Sequence, residues 1–226
     1  MNALGLFDAF RSDVVDTAKP YFWSDDEVWR YASAAYTMFV RLTGGIADFT
    51  SEACAVEVIT GEPLVTLHPS ILRIMGCTKR SDNRPVDVIN STDVAKMRTT
   101  DYGITRQLLL DDKSGPIMYL VHGMQRGVGR VVKVPEVDDI LDLHIYRLPL
   151  VQTLTDCDEL TDVAEEHHIH LLDWMKHLAY KKQDADTFNP VASKQAEQDF
   201  ALYCGQVKAE FERYKHKSRT VSYGGL

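Results

Sequence analysis

Two apolar stripes near the C-terminal end constrain this chain more than anything else in it. Asn189-Pro190 reads as a helix cap followed by proline at the first helical position. Ala196, Phe200, Tyr203, Val207, Phe211 and Tyr214 then recur at three- and four-residue steps to about Lys217. At ~1.5 Å per residue, such a helix is roughly 40 Å long. Upstream, His167, Leu171, Trp174, Met175 and Leu178 share one face of a helix expected over 164–182. Lys181 and Lys182 fall in its last turn, where the helix dipole favours cations. The loop between the two patterns, Asp184 to Thr187, is short, so the pair is expected to fold back as an antiparallel hairpin. Neither apolar face is stable in water, so other elements must cover both.

The N-terminal region supplies matching helices. Leu4, Phe7, Phe10, Val14 and Val15 suggest a short amphipathic helix over 3–17, ended by Lys19-Pro20. Ser24-Asp25-Asp26-Glu27 has the form of a capping box. The face that follows is Val28, Tyr31, Ala32, Ala35, Phe39 and Val40, closed by Gly44-Gly45.

Residues 53–149 change character. Apolar runs at 53–60, 64–67, 71–79, 84–89, 116–121, 131–134 and 140–146 are separated by turn residues. Asn90 to Asp93 looks like the cap of a short helix. Strands joined by short turns imply a mostly antiparallel sheet. The expected fold is α+β. N-terminal helices (1–52) and a C-terminal hairpin (150–217) form one bundle, with an inserted β-domain (53–149) and a flexible C-terminal tail (218–226).

The 226 residues carry 25 Lys+Arg against 33 Asp+Glu. The excess acid is uneven: residues 1–52 and 150–226 are each −4, while 53–149 are neutral. Without a basic stripe, gripping nucleic acid is not the main task, although such a wall suits DNA that slides past. The N-terminus lacks the basic and apolar regions of a secretion signal. No window approaches 18 apolar residues, so no membrane partner is expected. Cys54, Cys77, Cys157 and Cys204 show no CxxC pairing, which favours reduced core thiols.

Little catalytic chemistry is visible. Glu166, His170, Asp173 and His177 would stack near one face of a helix, and a metal-dependent enzyme built on them is the main alternative. The H-E-x-x-H order is missing and no second helix supplies partners, so a polar face at a subunit contact or in solvent is the preferred reading. The glycines of 123–129 lie between strands and match neither a Walker loop nor a dinucleotide fingerprint. Lys79, Arg80, Arg84, Arg126 and Arg130 sit on or near two turns and are candidates for an interface or a DNA channel. Through Arg126 and Arg130, a cytosolic binding module is a further alternative. No enzyme activity, catalytic residue, metal or other cofactor is expected.

Five segments carry a resemblance: 6–16 (Leu-Phe-Asp-Ala-Phe-Arg-Ser-Asp-Val-Val-Asp), 20–32 (beginning Pro-Tyr-Phe-Trp-Ser-Asp-Asp-Glu-Val-Trp), 67–73 (Leu-His-Pro-Ser-Ile-Leu-Arg), 143–150 (Leu-His-Ile-Tyr-Arg-Leu-Pro-Leu) and 172–187. In this order and spacing the chain resembles the head-to-tail adaptor (connector) proteins of tailed bacteriophages, of the tail tubular protein A-like kind. The resemblance implies a virion structural protein that occupies the head-to-tail interface after assembly in the host cytoplasm. Its implied partners are the portal protein, a tail tube or nozzle protein, further copies in a twelve-subunit ring, and DNA passing through without sequence-specific binding. It also implies a portal-docking tail, with Lys217, Arg219, Val221, Tyr223 and Leu226 as candidates.

Overall fold

The capping box at Ser24 forms as the sequence predicts. Glu27 N–H donates to Ser24 Oγ at 3.3 Å, and Ser24 N–H donates back to Glu27 Oε2 at 2.9 Å. This starts helix α2, Asp25–Thr43, which ends at Gly44 with φ +104, a left-handed conformation that glycine adopts without steric cost. The structure, a computed structural model, describes residues 1–96, 113–151, 153–184 and 186–215. It divides into two compact units: Met1–Gly44 with Pro149–Leu226, and Gly45–Leu148. The chain is thus mixed α and β, with five α-helices among the described residues and a curled, mostly antiparallel sheet.

The first unit holds α1 (Ala3–Asp13), α2, α4 (Leu171–Lys181) and α5 (Pro190–Lys215). The first helix stops short of its expected end at 17. Asp16 N–H donates to Arg11 O at 2.9 Å, and Val15 turns to φ +57. This turns the Asp16 carboxylate inward, where it accepts from Arg11 and from Phe22 N–H at 2.9 Å. Arg11 also donates to Trp23 O at 2.7 Å and to Asp25 at 2.6 Å, and it lies 4.1 Å from the Tyr21 ring centroid. The segments 6–16 and 20–32 therefore hold a buried Arg11 between the buried Asp16 and the exposed Asp25 at the start of α2.

The helix expected over 164–182 is two elements. Glu165–His170 winds as a 3₁₀ helix before α4 begins. Local anchoring explains the tighter turn: His167 N–H bonds Ala164 O at 2.9 Å, and His168 Nε2 donates to Val163 O at 2.8 Å. Helix α5 starts where Asn189 Oδ1 accepts from Ala192 N–H at 3.0 Å. The contacts His177–Ser193, Trp174–Phe200 and His170–Tyr203 run in opposite directions along α4 and α5, so the two helices are antiparallel. Leu6, Phe10, Val28, Phe39, Met175 and Phe200 are buried in this unit. The segment ahead of the 3₁₀ turn also packs on α2. Ser33 Oγ accepts from Leu154 N–H at 2.9 Å, and Tyr36 Oη accepts from Asp162 N–H at 3.1 Å.

The second unit holds eight strands among the described residues: β1 (Ile46–Asp48), β2 (Ala55–Val58), β3 (Leu64–Thr66), β4 (Ile71–Lys79), β5 (Pro85–Asn90), β6 (Tyr119–Gln125), β7 (Val128–Val131) and β8 (Asp139–Arg147). Helix α3, Ser91–Lys96, follows β5 and is capped by Asn90 Oδ1 accepting from Thr92 N–H at 3.0 Å. The sheet order is β1-β8-β4-β5-β6-β7-β3, with β2 also on β8. Only β5 and β6 pair in parallel among the strands. Leu141, Leu143 and Ile145 of β8 point inward at period two and are at most 2% exposed. They meet Val56, Val58, Cys77, Leu120 and Val131 in one core.

The glycine stretch 123–129, expected to lie between strands, is mostly strand itself. β6 runs through Gln125 and β7 begins at Val128, leaving Arg126-Gly127 as the turn, with Gly127 at φ +77. The run expected at 131–134 is strand only at Val131, because β7 starts earlier. A 3₁₀ turn over Glu52–Cys54 takes the first residues expected of β2.

Candidate functional site

The five basic candidates fall into separate places. Lys79, Arg80 and Arg84 flank the β4–β5 turn, and each meets acid there. Lys79 Nζ lies 3.4 Å from Asp82 and 3.5 Å from Asp139. Arg80 Nε bonds both Asp142 oxygens at 3.2 and 3.0 Å, and Arg84 Nε is 3.5 Å from Asp82. Burial alone would raise the Asp139 carboxyl, but the Ser81 hydroxyl, the Ile140 N–H and Lys79 hold it below its ordinary value. Arg130 lies within β7, in register with Leu64 and Val121.

Arg126 is at the opposite end of the sheet. It lines a cleft of about 190 Å3 between the first half of β4 and the β6–β7 turn, together with Arg73, His68, His122 and Gln125. No acidic side chain among the described residues lines this cleft. Neither Arg73 nor Arg126 makes an ion pair among the described residues. His68 Nδ1 sits 2.6 Å from Ser70 Oγ, and burial pushes the His122 imidazole below its ordinary pKa. Arg73 was not singled out as a candidate, although it ends the segment 67–73 that carried the family resemblance.

The four residues of the His/acid cluster have different surroundings. Glu166 is on the 3₁₀ turn with an exposed side chain, 3.8 Å from His167. His170 lies 3.9 Å from Asp173 and stacks on Tyr203 at 3.4 Å between ring centroids. His177 is buried and points at α5, with Nδ1 donating to Ser193 O at 3.0 Å. His167 is buried against Phe39, and its Nδ1 is 2.8 Å from Tyr203 Oη. The reading of a polar face at a subunit contact or in solvent is thus corrected for His177, which is packed inside the first unit, whereas His167 is buried as its place on the apolar stripe implies. Among the described residues no group of three or more His, Cys, Asp and Glu side chains is placed to hold a metal ion.

Two further features bear on chemistry. Burial pushes the Cys77 and Cys204 thiols up to about 12, which keeps them protonated at neutral pH. Asp48 and Arg147 form a buried ion pair, and Asp48 Oδ1 also accepts from Thr50 and Ser51 N–H at 3.0 and 3.1 Å. Burial would raise that carboxyl, but the Arg147 hydrogen bond and the two backbone donors hold it well below the carboxylate range.

The stripe on α5 outruns its cover. Ala196, Phe200, Cys204 and Val207 are buried, whereas every residue over 208–214 is exposed, including Phe211 at 44% and Tyr214 at 92%. The candidates beyond it, Lys217, Arg219, Val221, Tyr223 and Leu226, lie outside the described residues. No described helix is long and apolar enough to cross a membrane.

The family model described as SU10 adaptor protein matches residues 1–222. The chain belongs to the SU10 adaptor protein family. The match spans residues of both units. It is a phage structural adaptor, consistent with the head-to-tail class that the sequence segments suggested, and its work is interaction with other head and tail proteins of the particle. No curated protein matches the chain.

Proposed function

We propose that this adaptor is a ring subunit, present in twelve copies, that joins the portal to the tail tube or nozzle and lines the channel through which DNA is ejected. The observation that carries this reading is the family match over residues 1–222. In this reading the helices of 1–52 and 150–217 act as one bundle, with the β-domain inserted between them, and the role is structural rather than enzymatic. Subunits gather in the host cytoplasm and end at the head-to-tail interface of the virion.

Two observations support the proposal. The apolar stripe of α5 continues past Val207 onto uncovered residues, as expected of a helix that extends towards a partner. We assign the segment beyond it, with Lys217, Arg219, Val221, Tyr223 and Leu226, to docking on the portal. Second, Lys79, Arg80 and Arg84 are matched by Asp82, Asp139 and Asp142, so that turn would let a phosphate backbone pass without strong retention. Electron microscopy of the chain mixed with portal tests the reading. A ring of density on the portal is expected, and bare portals at saturating adaptor would overturn it.

A further inference from the structure

The cleft with two arginines and no acid has a counterpart at the other end of the same unit. Where β2 ends and β8 begins, a cleft of about 320 Å3 is lined by Glu57, Asp138 and Asp139, with Ile59 on its wall and no basic side chain among the described residues. Glu136 stands exposed one residue before Val137, which is 72% exposed. Lys79, which lies beside this cleft, is already engaged by Asp82 and Asp139.

The register of β4 with β8 places the two clefts. Ile71 pairs with Arg147 at one end and Lys79 with Leu141 at the other. The basic cleft draws on Ile71 to Ile74, and the acidic cleft on Asp138 to Ile140. Across a nine-residue strand at ~3.3 Å per residue, they are separated by roughly 26 Å along the strand direction. Each also carries exposed apolar surface: Leu72 (43%) and Met124 (44%) beside the arginines, Ile59 (51%) and Val137 (72%) beside the acids.

We propose that these two ends are the two halves of one contact between copies of this chain, the acidic end of one copy seating in the Arg73/Arg126 cleft of the next. This rests on the reading that the adaptor assembles with itself. Charge complementarity selects the occupant: a cleft with unpaired arginines fits a surface whose acids outnumber its bases, and this chain carries that surface. Because the halves are different patches, the contact is heterologous and propagates head to tail, which closes into a ring when the rotation allows. Guanidinium forks bind carboxylates bidentately, and the apolar residues at both ends supply area to bury.

A charge swap tests this directly. One variant carries Arg73→Glu with Arg126→Glu, the other Glu57→Lys with Glu136→Lys. All four positions are exposed, so unchanged thermal melts are expected. Like charges then face each other within each variant, and association of either one alone should weaken on the order of a hundredfold. In an equimolar mixture every contact regains opposite charges, so assembly should return. Assembly is read by electron microscopy on portal and by sedimentation of the adaptor alone at low ionic strength. Variants that assemble singly like wild type, or a mixture that stays dispersed in both assays, would overturn the contact. Wild type that forms rings on portal alongside equally competent variants sinks this contact and leaves the ring reading intact. Wild type that leaves portals bare sinks the ring reading itself, and the mixture in solution still decides the contact. Double-stranded DNA binding that is lost in Arg73→Glu/Arg126→Glu would identify nucleic acid as the occupant and also overturn the proposal.

Discussion

Replacing Asp48 by Ala should be among the most damaging single changes in the β-unit. The carboxylate is 8% exposed and its partner Arg147 7%, and Asp48 also accepts the two backbone N–H groups of Thr50 and Ser51. Removal leaves a guanidinium in the interior without its carboxylate, and breaking a buried pair from one side costs about 3–5 kcal/mol. In a unit of about 100 residues, each kcal/mol moves Tm by about 4–8 °C, so a fall of at least about 12 °C is expected by calorimetry. Asp48→Asn keeps an acceptor for Thr50 and Ser51 and should fall between the two. The double change Asp48→Leu/Arg147→Met removes both charges and should recover much of the loss, because a buried ion pair is often no better than apolar packing of similar volume. The sign with pH is definite. The folded carboxyl is depressed, so its contribution is complete above the ordinary carboxylate pKa and is lost as pH falls below it. An Asp48→Ala loss under about 1 kcal/mol, or a double variant as unstable as the single one, would refute the reasoning.

Two other outcomes follow from the helical unit. Burial depresses His167 despite the opposing charges of Glu166 and Glu210, so the unfolded chain takes up its proton first. Stability from this residue is full above about pH 6.5 and declines as pH falls through it, by at most ~1.4 kcal/mol per pH unit; urea titrations at pH 7.5 and 5.5 should show His167→Gln flattening that decline, and an unchanged slope would count against it. Val15 is β-branched at φ +57 and 79% exposed, so Val15→Asn, which tolerates that backbone, should stabilise by about 1 kcal/mol, and a lower Tm would contradict this account of the turn.

Features set by neighbouring residues were legible in the sequence. The Ser24–Glu27 box, the Gly44 stop and the Asn189 cap depend on groups within four residues, and each forms as read. Period-two burial along β8 was legible for the same reason. What escaped depends on distant partners. Nothing near Pro85 signals that β5 pairs in parallel with β6, or that Ile46–Asp48 joins β8 a hundred residues later. The histidine face failed because His170 and His177 both turn onto α5, against Tyr203 and Ser193, while Glu166 stays exposed on the 3₁₀ turn ahead of α4. Among the basic candidates, charge alone could not separate Lys79, Arg80 and Arg84, which fold onto acids, from Arg126, which does not; and Arg73, inside a strand, joins it only through the fold.

The division of the helical unit by the sheet has a consequence for synthesis. Helix α2 completes its face at Thr43, yet Met175, Phe200 and Val207, which share its unit, are encoded more than a hundred residues later. At roughly 5–20 residues per second on the ribosome, Val28, Ala32 and Phe39 wait on the order of 10–30 s for their cover. The β-unit, whose last strand ends at Arg147, is complete before that. The nascent adaptor therefore passes through a stage with a finished sheet and an uncovered helix, when it is most exposed to premature association with its neighbours.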